Sequence, residues 1–139
     1  MHFTPKTYAI LALVMLATSP SLAATAPAVA ATLVTAAKAD VMPVDKLTGM
    51  VGVWSSADFG LFAKAKSIKV LDTKMLYSAD DLKKIASAAT GKAPEVTKIR
   101  AAIKGDASLD AWFTTNKLDL NRVIAVSVPT GGVPEIVLY

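Results

Sequence analysis

The end of the chain constrains the fold more than any other stretch. Arg122-Val123-Ile124-Ala125-Val126-Ser127-Val128 and Val133-Pro134-Glu135-Ile136-Val137-Leu138-Tyr139 are two β-rich runs separated only by Pro129-Thr130-Gly131-Gly132. That pattern spells a β-hairpin. An isolated hairpin is marginal in water, so the remaining chain must supply a third strand and a covering layer. Ser67–Asp72 is the candidate strand, with β-branched Ile68 and Val70 on either side of an outward Lys69. Because Pro134 cannot donate to a ladder, the last strand is expected at a sheet edge. Residues 122–128 then become the central strand, paired on their other side with 67–72.

The covering layer reads as helices over 79–90, 94–104 and 107–116. Ser78 is an N-cap followed by Asp80 and Asp81 at the positive helix end, and Leu82, Ile85, Ala86 and Ala89 form one apolar stripe that stops at Gly91. Pro94 suits a first helical turn, and Val96, Ile99 and Ile103 line one face before Gly105. Asp106 and Ser108 compete to cap the next helix, whose buried face is Leu109, Trp112 and Phe113. The fold class is therefore α+β: a small antiparallel or mixed three-stranded sheet with a C-terminal β-hairpin, packed on about three short helices that share one face. Between Val44 and Phe62 the pattern conflicts. Val44–Leu47 and Met50–Trp54 look extended, two glycines weaken any strand there, and a short helix is expected over Ala57–Lys64.

The other end of the chain reads as an address. A cationic start ending at Lys6, an apolar run from Tyr8 to Ala17 and a small-residue exit after Pro20 make residues 1–23 a secretory signal peptide. The run is about half the roughly 20 residues a membrane-spanning helix needs. Cleavage is expected between Ala23 and Ala24, with Ala28-Val29-Ala30 as an alternative that cuts after Ala30. The expected location is periplasmic or secreted. Residues 24–43, rich in Ala, Thr, Val and Pro, read as a flexible linker, with an Ala-rich helix over Ala28–Ala39 as the rival. Residues 44–139 are expected to form one small domain.

The chain has no cysteine, and its one histidine, His2, lies in the expected leader. A mature form without His or Cys excludes Ser-His-Asp and Cys-His nucleophilic sites and structural zinc sites built from those ligands. Any acid or base must come from Asp, Glu, Lys or Tyr, and Glu95 and Glu135 are the only glutamates. No cofactor is implied. The net charge of +4 includes one unit from Lys6. With only two arginines, the chain does not resemble a nucleic-acid binder.

Candidate sites are few. Trp112 and Phe113 fall on a core stripe, whereas Trp54 sits in the irregular segment and is the aromatic most suited to a binding site. Lys64, Lys66, Lys69 and Lys74 form a loose basic run whose plainer reading is a solvated strand face. Asp106 and Asp110 are better explained by helix capping than by a metal. The first functional expectation is a non-enzymatic protein- or ligand-binding module of the periplasm, working through a sheet edge or an aromatic patch. A small hydrolase or lyase using carboxylate and lysine chemistry, or a binder of anionic envelope polymers, are the alternatives. The partner is expected to be another envelope protein or a small ligand, with no membrane span once the leader is gone.

Overall fold

The computed structural model describes residues 29–139. The expected leader, its cleavage position at Ala23 and Ala24, and residues 24–28 lie outside the described residues. The order of elements is β1 (Thr32–Thr35), α1 (Val44–Met50), α2 (Ser56–Lys64), β2 (Ser67–Asp72), α3 (Thr73–Leu76), α4 (Ala79–Gly91), α5 (Ala93–Gly105), α6 (Ala107–Thr115), β3 (Val123–Ser127) and β4 (Glu135–Leu138). The class is α+β, with a four-stranded mixed sheet in the order β1-β2-β4-β3. β1 and β4 both run parallel to β2, and β3 runs antiparallel to β4.

Several helices form where capping and period predicted them. Ser78 Oγ accepts from the Asp81 N–H at 3.2 Å and starts α4. Asp106 rather than Ser108 caps α6, its Oδ1 accepting from Leu109 N at 3.1 Å. The Ser55 N–H donates to Asp58 Oδ2 at 3.0 Å at the start of α2.

The structure differs from the expected arrangement of strands and helices in three places. First, the last strand is not an edge: β4 lies between β2 and β3, and β3 ends the sheet. Pro134 precedes β4, so its missing N–H removes nothing from the ladder, and its carbonyl accepts from Lys69 N at 2.8 Å. Ile136, Val137 and Leu138 are buried on successive sides, which suits a strand covered on both faces rather than an edge. Second, the sheet has a fourth strand, β1, inside the stretch read as a linker. Its tether is in the core: Trp112 Nε1 donates to Ala31 O at 2.8 Å, and Val29 N donates to Ser108 O at 3.2 Å.

Third, six α-helices rather than about three cover the sheet, and they occupy both faces. One core joins Phe59 and Phe62 of α2, Ile99 and Ile103 of α5 and Trp112 and Phe113 of α6 to Ile68, Val70, Val126, Ile136 and Leu138. The other joins Leu47 of α1, Ile85 of α4 and Val96 of α5 to Leu71, Ile124, Ala125 and Val137. Helix α5 thus contributes to both cores. Where an extended run was expected at Val44–Leu47, α1 forms, because Leu47 and Val51 stand four residues apart and both bury completely.

Gly52 turns the chain out of α1 with a φ of 78°, and a Cβ there would stand 2.8 Å from Glu95 Cβ. Only glycine fits both the backbone and the space.

Replacing Trp112 with Phe should leave the Ala31 carbonyl buried without its donor, at a cost of roughly 1–3 kcal/mol. The expected result is a lower urea midpoint together with faster amide exchange in Thr32–Thr35. Unchanged protection of those amides would show that β1 is held by its ladder alone.

Candidate functional site

The direction of each backbone group on β3 follows from the register. Lys69 N bonds to Pro134 O, so Pro134, Ile136 and Leu138 turn their polar groups toward β2. Glu135 and Val137 therefore face β3, where they pair with Ser127 and Ala125. Val126 lies between those two residues and turns its N–H and C=O outward, away from the sheet.

Most of that outer edge is closed. The Gly52 N–H donates to Ile124 O at 3.0 Å, and Arg100 Nε donates to Val123 O at 2.9 Å. Beyond them, Val126 is itself largely covered and Val128 is more exposed. The outward groups of Val126 have no partner among the described residues. They border a groove of about 340 Å³ lined by Met50, Val53, Trp54, Asp58, Val126 and Val128.

Trp54 stands at this groove. Its ring lies 5.5 Å from that of Phe59, which lies 6.4 Å from Phe62 in the core, so the indole is half-buried on an aromatic base. The two tryptophans differ in their hydrogen bonding. Trp112 gives its N–H to Ala31, whereas the Trp54 indole N–H has no acceptor among the described residues. That N–H is not buried, so it is open to water or to a ligand. Val53 next to it is 59% exposed and Leu61 on α2 is 48% exposed. On the far side of Val128, a second concavity of about 470 Å³ is bounded by Leu61, Lys64 and the turn Pro129–Gly132. Apolar side chains, an unpaired indole donor and an unpaired backbone pair thus converge at one end of β3. That set suits an extended polypeptide, which needs backbone partners and side-chain pockets together.

The other expected residues are dispersed. Lys69 pairs with Asp40 at 3.1 Å, and Lys74 lies over the Tyr139 ring at 5.1 Å from its centre. Lys64 borders the hairpin turn, so the basic run forms no single patch. Asp106 caps α6, and Asp110 pairs with Lys104 at 3.1 Å. Among the described residues, no group of three or more His, Cys, Asp or Glu side chains is placed to hold a metal, and no helix is long and apolar enough to cross a membrane.

Sequence reasoning missed Glu135. It faces Ser127 on β3 and Lys69 on β2, and its Oε1 is buried without a hydrogen-bond partner among the described residues. Burial raises its pKa, against the opposing pull of Lys69. Nearby, Asp40 is held below the usual carboxylate range, first by the Ala37 N–H and then by Lys69. Burial raises the pKa of Tyr77, although its hydroxyl donates to Met42 O at 2.7 Å. A charged residue at the head of an apolar strand was the only trace of Glu135 in the sequence.

Comparison with protein-family models, with curated proteins and with solved structures gave no match. The site therefore rests on its geometry.

The raised pKa of Glu135 sets a sign. Folding favours its protonated form, so its contribution is fully present below the unfolded pKa and is lost as pH rises through the folded one. Glu135→Gln cannot ionise and should be more stable than the parent near pH 7, by roughly 0.5–1 kcal/mol given the half-exposed site. That advantage should shrink toward about pH 4. Chemical denaturation at several pH values measures it, and a constant difference would show that Glu135 ionisation is not coupled to folding.

Proposed function

We propose that the protein is an exported, non-enzymatic binding module that takes an extended segment of a partner protein along the open end of β3. The observation that carries the reading is a groove with Trp54 on its wall, beside the outward N–H and C=O of the largely buried Val126, which have no partner among the described residues. A strand added there makes its first two hydrogen bonds to Val126, and its alternate side chains meet Trp54 and Val53. The Gly52–Ile124 hydrogen bond limits how far such a strand can run, so the contact is short. Short augmentation needs an anchor, and Trp54 has the area for one and an N–H with no acceptor among the described residues. The absence of Cys from the whole chain, and of His after His2, is consistent with binding rather than nucleophilic catalysis. Export rests on the leader-like residues 1–23.

The test is recovery of partners from a periplasmic extract by the immobilised wild-type protein, with Trp54→Ala and Val53→Asp as comparisons. A partner specific to this groove should bind at least ten-fold more weakly to both variants, the loss of about 1.4 kcal/mol or more expected of an anchor residue. Equal recovery by all three forms, or recovery of nothing by any, removes the reading.

A further inference from the structure

The two arginines are held very differently. Arg122 grips Asp72 with both terminal nitrogens, at 3.0 and 2.8 Å, and gives its Nε to Tyr139 O at 3.2 Å. Arg100 also has its Nε anchored, on Val123 O, yet among the described residues no carboxylate pairs with it. Its guanidinium is therefore oriented by one bond, while the terminal pair of nitrogens has no partner among the described residues.

Arg100 lies on α5 between two clefts. The smaller, about 320 Å³, runs between α4 and α5 toward Tyr139. The larger, about 600 Å³, lies between α5, α6 and the segment that leads into β3. Phe113, Leu118 and Leu120 give the larger cleft an apolar side, and its other charged residues are Lys104 and Asp110. Those two neutralise each other at 3.1 Å, so the lining keeps one net positive charge, that of Arg100.

We infer that this cleft is a binding site for a small amphiphilic carboxylate, a monoanion with an apolar tail. One guanidinium presenting its two terminal nitrogens matches the two oxygens of a single carboxylate. The single net charge favours a monoanion over a phosphate dianion, which would keep a charge unmatched. The apolar side accounts for the tail, since concave sites gain affinity from apolar lining and orientation from a few polar groups. The site shares no residue with the Trp54 groove, so it stands whether or not that groove binds a peptide.

The experiment titrates the purified protein with sodium octanoate, with 1-octanol and with inorganic phosphate, following backbone and methyl resonances by NMR. Octanoate should give saturable shifts at Leu118, Leu120 and Phe113. Octanol and phosphate should bind at least ten-fold more weakly. Arg100→Lys keeps the charge but loses the planar fork, and should weaken octanoate at least ten-fold. Because Arg100 also anchors β3, Ala101→Glu serves as a second variant: Ala101 is an exposed residue of α5 that lines the cleft and leaves the anchor intact. It should lower octanoate affinity similarly without changing the melting temperature. Absence of saturable octanoate shifts overturns the assignment. So do octanol or phosphate binding as tight as octanoate, and unchanged affinity in Ala101→Glu.

Discussion

The parallel pairing of β2 with β4 is the contact on which the architecture depends. It joins the first half of the chain, β1 through β2, to the hairpin that ends it, with four helices between the paired strands. Parallel pairing cannot be made by a local turn, so the intervening helices must be packed for the strands to meet. The junction is fastened at one end by polar groups. Asp72 takes two hydrogen bonds from Arg122 and one from Lys74 N, and the buried Thr73 hydroxyl donates to Leu138 O at 2.8 Å. The carboxylate that closes β2 thus also caps α3 and holds the segment entering β3. Its hydrogen bonds raise the Arg122 pKa further, although arginine is charged in any case.

Placing β4 inside the sheet determines where edges can exist. β3 becomes terminal, and its outer side is divided: Gly52 and Arg100 bond to the first half, and among the described residues the outward groups of Val126 in the second half have no partner. Sealing an edge with a turn and an arginine is one way to limit uncontrolled strand addition. Gly52 directly precedes Val53 of the Trp54 groove, and Arg100, on α5, both bonds to β3 and lines the clefts beside its helix.

Much of the local structure was legible. Ser78 and Asp106 marked helix starts through side-chain chemistry that acts within three residues, and β2 was read with the boundaries it has. The hairpin was legible for the same reason. Pro134 misled: the rule that proline marks an edge applies within a ladder, and this proline stands just outside one. α1 was obscured by glycines and β-branched residues that weigh toward extended chain, while its Leu47 and Val51 contacts lie across the sheet in Ile124, Ala125 and Val137. β1 had no readable period because its tether is the Trp112 indole, far along the chain. Trp54 was singled out for the irregular backbone around it. Val126, Glu135 and Arg100 were not, since their roles depend on which neighbour is missing.

By itself, the sequence determined the α+β class, the caps, the hairpin and a chemistry without cysteine, because these follow from residue identity and short-range hydrogen bonding. It also carried an unused indication of double-sided burial in the unbroken apolar runs of 123–126 and 136–138. Only the tertiary structure decided strand order, the two helical layers and the open end of β3. Those depend on contacts between residues far apart in the chain, and a backbone group is left unpaired only once every neighbouring element has taken its place.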